Sequence, residues 1–236
     1  MWRMLRSRQT WINALLLVLV LLAATAWSQH HARTAAHFVR EVFLPIYVSF
    51  LLPIFSLCYA SHAVAGERQE QTLGYLLATP LTRPVIYLAK WSAALALVLV
   101  WNLGGAAALG RIAGPAGWTC FVRFWPAVLW SSVAYGCLFH LFSVLFRRAT
   151  VVSLVYALFL ETFLGNVPGV IKRVAISYYT QCLVIAGGQD LGLGPAAGRD
   201  PALFVPLAGD TAQLVLWCVS GALFAAGMWV FCRREY

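Results

Sequence analysis

Charge is scarce in this 236-residue chain: only 11% of residues are Asp, Glu, Lys or Arg, where a soluble domain carries about a quarter. That shortage excludes a chain folded wholly in water. Acid is scarcer still, with 8 Asp+Glu against 17 Lys+Arg. No GxxxxGK[ST] loop occurs, so the chain has no phosphate cradle of its own and cannot hydrolyse ATP. The absence of GxSxG and HExxH removes the familiar anchors for Ser/His/Asp and zinc-hydrolase chemistry. The six cysteines, at 58, 120, 137, 182, 218 and 232, include no CxxC and no histidine at zinc spacing. No ~10-residue segments alternate in hydropathy as β-barrel strands do, and no internal repeat is visible.

What is present is apolar: 61% of the residues are hydrophobic. They fall into continuous runs at 11–27, 42–65, 84–109, 124–146, 149–165 and 211–232, each able to cross a hydrocarbon core that takes about 20 helical residues, range ~17–25. The expected fold is all-α, a polytopic membrane protein with six transmembrane helices in one membrane domain, 1–236. Pro45 and Pro53, inside the second run, should kink it or thin its hydrogen-bond ladder. Gly104, Gly105 and Gly110 should let helices approach closely. Trp11, Trp27, Trp91, Trp118, Trp125, Tyr178 and Tyr179 lie near run ends, as in an aromatic belt.

The basic residues sit at the ends of the runs, where they anchor to headgroups, and this placement argues against nucleic acid as a partner. Six spans put both termini on one face. That face collects ten Lys/Arg (Arg3, Arg6, Arg8, Arg68, Arg83, Lys90, Arg147, Arg148, Arg233, Arg234), and the other collects seven over longer loops (Arg33, Arg40, Arg111, Arg123, Lys172, Arg173, Arg199). The positive-inside rule then makes both termini and residues 66–84 cytoplasmic, in a multi-pass protein of the cell membrane, expected to be a bacterial inner membrane. Arg3, Arg6 and Arg8 before an apolar stretch ending in AATAW also have the form of a secretory signal peptide. The apolar stretch is longer than the usual ~7–15 residues, and cleavage would leave five spans and a weaker charge bias. An uncleaved signal-anchor span is the better reading, with residues 1–10 (Trp2, Met4 and Leu5 among the arginines) lying at the interface.

The longest connection is 166–210. Its front, NVPGVIKRVAISYYTQCLVIAGG, is too polar to span cleanly and too apolar for an ordinary loop, so a short interfacial or re-entrant helical hairpin on the outer face is expected over 166–188. The rest is Gly/Pro-rich loop. Cys120 and Cys182 fall in segments expected to be outer loops, where spacing alone cannot fix a pairing.

Between the second and third runs stands GERQEQTLGYLLATPLTRP, residues 66–84. A helix over 67–79 would place Glu67 and Glu70 in its first turn, where the helix dipole favours negative charge. Pro80 disfavours helix at Thr79. Leu73, Leu76, Leu77 and Pro80 follow i, i+3, i+4, i+7 and form one apolar face. That face must be buried, either in the membrane surface or in a groove on a partner.

The run Glu67-Arg68-Gln69-Glu70-Gln71-Thr72-Leu73, then Leu76-Leu77-Ala78-Thr79-Pro80-Leu81-Thr82-Arg83 and then Lys90, resembles the signature of ABC type-2 exporter permeases. Family members read Glu-Arg-Glu-x-Gly-Thr-Leu, Leu-Leu-x-Thr-Pro-Leu-Ser-Arg and Gly-Lys at these places. Gln71, Gly74 and Ala89 depart from the pattern but leave the apolar face intact. The resemblance implies a coupling helix that inserts into a separate ABC ATPase, present in two copies, with ATP and Mg held by that partner and no cofactor bound by this chain. It also implies a permease homodimer in the lipid bilayer. The coupling residues carried over are Glu67, Arg68, Glu70, Thr72, Leu73, Leu76, Leu77, Thr79, Pro80, Leu81 and Arg83.

A weaker resemblance to the end of span five and the outer hairpin of small family members covers LETFLGNVPG, residues 160–169, with Ser177, Tyr178 and Tyr179. Glu161 is the only acidic residue deep inside an expected span, which by default makes it a functional candidate. With His140 and Asn166 it belongs either to the translocation pathway or to helix packing. His30, His31 and His37 lack a supporting carboxylate or cysteine pattern, so no metal site is assigned. Two readings of other classes stand beside the transporter: a membrane-embedded enzyme using Glu161 and His140 as acid and base, and a membrane scaffold whose cytoplasmic helix recruits some other protein.

Overall fold

The computed structural model describes residues 8–30, 34–69, 82–161, 173–191, 193 and 207–233. The long elements are all helices. They are α1 (Arg8–His30), α2 (the apolar stretch Ala35–Gly66), α3 (Arg83–Ile112), α4 (Gly114–Leu145), α5 (Ala149–Val155, continued by Tyr156–Glu161), α6 (Ile176–Gly187) and α7 (Gly209–Arg233). Among the described residues, α2, α3, α4 and α7, with 32, 30, 32 and 25 residues, are long and apolar enough to cross a membrane. The expected six spans are thus four by this measure. The other two coincide with shorter apolar helices, Thr10–Ala26 and Ala149–Phe159, and the expected fifth run continues past the described residues.

Proline shapes α2 as its chemistry requires. Pro45 has no N–H to donate and its ring crowds the preceding turn. Over Val39–Leu51 the helix widens to π geometry around Pro45. Ser49 Oγ donates to the Leu44 carbonyl at 2.9 Å, and Pro53 sits where the π geometry gives way to the α-helical stretch Leu52–Ala60.

From α1 to α5 successive helices alternate in direction, α6 runs the same way as α5, and side-chain contacts define two ends. At one, Tyr59 on α2 donates to Thr10 on α1 at 3.3 Å, and Arg83 Nη1 at the start of α3 donates to the Cys232 carbonyl of α7 at 3.0 Å. Val64, Ile86, Tyr87, Val144 and Phe231 pack together there. At the other end Cys120 on α4 reaches the Ala35 carbonyl of α2 at 3.6 Å. Arg123 Nε donates to the Gly187 carbonyl of α6 at 2.7 Å.

The expected loop between the third and fourth runs is helix. Only a turn at Ala113 and Gly114 separates α3 from α4, with Gly114 at φ +81°, a backbone state that suits glycine. Close approach of Gly110 and Gly117 makes the hairpin this tight. A Cβ on Gly117 would lie 2.5 Å from Ala113 Cβ and 2.7 Å from the Gly110 carbonyl oxygen. Arg111 therefore stands on α3, stacked 4.4 Å from the Trp118 ring centre, and Cys120 is buried on α4 rather than looped out. Cys182 is buried on α6, and the two sulfurs are unbridged, both cysteines being free.

Polar side chains stitch the interior. Asn102 Nδ2 on α3 donates to Ser56 Oγ on α2 at 3.0 Å and to Ser132 Oγ on α4 at 2.9 Å. Tyr47 donates to the Asn102 carbonyl, and Gly105 leaves room for Tyr47, whose hydroxyl would lie 3.1 Å from a Cβ placed there. With no water to compete in a bilayer core, such bonds join helices that hydrophobicity alone cannot. The outside is apolar in turn: Trp11, Leu15, Val18 and Leu22 line the outer face of α1, and Leu214 and Trp217 that of α7. Exposed tryptophans mark both ends, Trp11 and Trp229 at one, Trp118 and Trp125 at the other, as interfacial belts do.

Candidate functional site

The end that holds the start of α3 carries exposed Arg83, Arg147, Arg148 and Arg233, and no acidic side chain is among those described there. The opposite end mixes Arg40, Arg111, Arg123 and Arg173 with Glu41, Asp190 and Asp210. The basic end also holds both flanks of the 66–84 segment. On one side α2 passes through a turn at Ser61 into the helix His62–Gln69. Glu67 and Arg68 therefore lie on a helix that begins at His62, and not in the first turn of one beginning at 67. On the other side Thr82 is extended, at φ −68° and ψ 143°, and α3 starts directly after it. Its carbonyl accepts from the N–H groups of Val85 and Ile86 at 3.0 and 3.2 Å. Pro84 in the first turn is pre-set for a helix start. Glu70, Thr72, Leu73, Leu76, Leu77, Thr79, Pro80 and Leu81 lie outside the described residues.

Around those flanks the helix ends are cross-braced. His62 Nε2 and Thr150 Oγ1, 3.1 Å apart, join the end of α2 to the start of α5. Arg83 covers a carbonyl in the last turn of α7, where a cation complements the helix dipole. Arg233 stacks on Trp229, its guanidinium carbon 4.5 Å from the ring centre.

His140 is fully buried. Its ring packs edge-on against Tyr87, centroids 4.8 Å apart, and so faces α3. The α4 residues that meet α5 are its neighbours Phe139 and Phe142, both edge-on to Tyr156. His140 thus points to a different helix from the one that carries Glu161. Glu161 ends the described part of α5; its side chain, like Asn166, lies outside the described residues. Among those residues no three His, Cys, Asp or Glu are grouped as metal ligands, and His37 stands 3.7 Å from Glu41 at the mixed-charge end.

At that end α6, the described arm of the expected outer hairpin, is not a loose surface element. Ile176, Tyr178, Thr180, Cys182 and Val184 are buried, Thr180 lies 2.5 Å from Ser131 of α4, and Tyr179 donates to the Arg173 carbonyl at 2.7 Å. Arg123 also pairs with Asp190, just past α6. Two features escaped the reading of the sequence, the Asn102 junction and the packing of Tyr87 on α7. A lone Asn inside an apolar run was the available signal for the first; nothing local announced the second.

Long apolar helices, exposed apolar side chains on their outer faces, interior polar junctions and tryptophans at both ends define a polytopic helical membrane protein. Residues 1–186 match the family described as ABC-2 family transporter protein, and the chain belongs to that family. It is a transporter's membrane component, of a kind without an ATPase domain and generally driven by an ATPase partner. No curated protein matches the chain.

Proposed function

We propose that this chain is the membrane-spanning permease subunit of an ATP-driven exporter, working as a dimer of this chain with two copies of a separate ATPase. The observation that carries the reading is the motif of residues 67–83, read together with membership of the ABC-2 family. The segment would dock its Leu73, Leu76 and Leu77 face in a groove of the ATPase, as amphipathic helices do elsewhere. Glu67, Arg68, Glu70 and Arg83 would add charge-assisted hydrogen bonds at the rim. Thr72, Thr79, Pro80 and Leu81 shape and end the segment. ATP and Mg belong to the partner's chemistry, and this chain binds neither.

On this reading the basic end is cytoplasmic, six spans cross the inner membrane, and the whole chain is one permease domain. Two features support the orientation. Exposed arginines gather at that end, and both α1 and α7 have their outer termini there. ATP binding would close the ATPase pair and displace both coupling segments. The hairpin over 166–188 would gate release on the far side, with Glu161, His140 and Asn166 bordering the pathway or bracing it. The direct test is to introduce Leu76→Asp and Leu77→Asp and measure co-purification of the ATPase. Association is expected to fall below detection, while the chain's own melting midpoint in detergent stays unchanged. Undiminished association would sink the docking role.

A further inference from the structure

At the basic end α3 and α7 meet along a seam of aromatic rings. Three α3 residues at i, i+4 and i+8, Arg83, Tyr87 and Trp91, each meet α7. Arg83 Nη1 donates to the Cys232 carbonyl at 3.0 Å. Trp91 packs on Phe224 with ring centroids 4.8 Å apart. Between them Tyr87, fully buried, lies against Phe224 and Phe231, at 5.5 and 5.7 Å, with its hydroxyl 3.4 Å from the Phe224 carbonyl.

Gly227 supplies the socket. A Cβ there would stand 2.3 Å from the Tyr87 hydroxyl oxygen and 3.2 Å from Cζ. The tyrosine cannot retreat, because His140 of α4 closes its other side at 4.8 Å. Knob and socket therefore exclude every side chain but glycine at 227 while Tyr87 stays in place. α4 accompanies α7 at both ends, through Val144 beside Phe231 at the basic end and Trp130 on Trp217 at 4.6 Å farther along, where α6 joins it. The rings of α3 reach α7 in the half nearest the segment that precedes α3.

We infer that Tyr87 seated on Gly227 is the joint that makes the basic end of α7 follow α3 when the 67–83 segment is displaced. This rests on the coupling role proposed above. Tyr87 and Gly227 act through helix position and touch no substrate. They are positioning residues, and the moving element includes α7 as well as the helices flanking the motif. Packed interfaces have discrete arrangements rather than soft ones, so a close-fitting joint carries displacement.

The first arm of the test uses the chain alone. Gly227→Ala should lower its melting midpoint by about 5 °C. Adding Tyr87→Phe, which removes the oxygen that meets the new methyl, should restore most of that loss. Failure of the double variant to recover overturns the joint. The second arm uses the assembled complex with its ATPase, spin-labelled at exposed Val85 and Trp229, with Cys218→Ser and Cys232→Ser. The separation of the labels should be the same with and without ATP, and also in Tyr87→Phe. In Tyr87→Ala it should shift on ATP binding. A separation that shifts equally in the unaltered joint overturns the inference. Loss of ATPase association in Leu76→Asp/Leu77→Asp bears on the coupling role alone, and the melting arm decides the joint independently of it.

Discussion

The two ends of this bundle are built by different means. The mixed-charge end is closed by backbone proximity. The turn at Ala113 and Gly114 brings α3 and α4 together with Gly110 against Gly117, and α6 is buried beside them with Arg123 reaching both the Gly187 carbonyl and Asp190. The basic end is closed by side chains, with Tyr87, Trp91, His140, Phe224 and Phe231 filling the space between helix ends. Backbone-to-backbone packing has no adjustable part. Ring-to-ring packing can be displaced as a unit. The rigid construction stands opposite the 67–83 segment, and the ring-packed one stands next to it.

That contrast can be broken first at the rigid end. Gly117→Val, whose Cβ alone would lie 2.5 Å from Ala113 Cβ, is expected to cost at least about 3 kcal/mol and to reduce the yield of folded protein. Gly104→Ala is the control: nothing lies within 4 Å of a Cβ there, and it should be neutral or raise stability by up to about 1 kcal/mol. Melting in detergent compares the two directly, and equal losses would remove the claim of close approach. Between the ends, Asn102→Ala cuts the bonds to Ser56 and Ser132 and should cost about 1–2 kcal/mol, read by the same melting experiment. The smallest effect is expected at the rim. Asp190→Asn breaks an exposed ion pair and should cost less than about 1 kcal/mol, with the difference vanishing at high salt. A large, salt-independent loss there would mean that α6 depends on the pair more than its exposure allows.

Much of this was legible in the linear sequence, because bilayer solvation leaves a coarse signature. Runs of apolar residues mark helices that must satisfy their own backbone bonds, and the structure extends four of them by a few residues. Pro45 announced an altered ladder and received π geometry. The boundary between the third and fourth runs was misjudged for a physical reason. Residues 110–123 include Gly110, Gly114, Gly117, Arg111 and Arg123, a composition that reads as loop. Yet Gly110 and Gly117 serve close helix packing and Gly114 the turn, and the arginines lie along helix surfaces where Trp118 and Asp190 receive them. The outer-loop position expected for Cys120 changes with it, since Cys120 is buried on α4, and Cys182, within the expected hairpin, is buried on α6. Of the 67–83 segment itself, the sequence alone supplies the motif, and the structure adds where its flanks are fastened.

By itself, then, the sequence determined that this is a helical membrane protein, where its apolar runs lie, and which short polar segment interrupts them between the second and third. These are local properties, set by the solvent each stretch can tolerate. Only the tertiary structure decided which residues from distant segments meet: Asn102 with Ser56 and Ser132, Gly110 with Gly117, Tyr87 with Gly227. Such meetings depend on helix rotation and register. Periodicity constrains these only loosely when every face of a helix is apolar, and packing of paired surfaces is what fixes them.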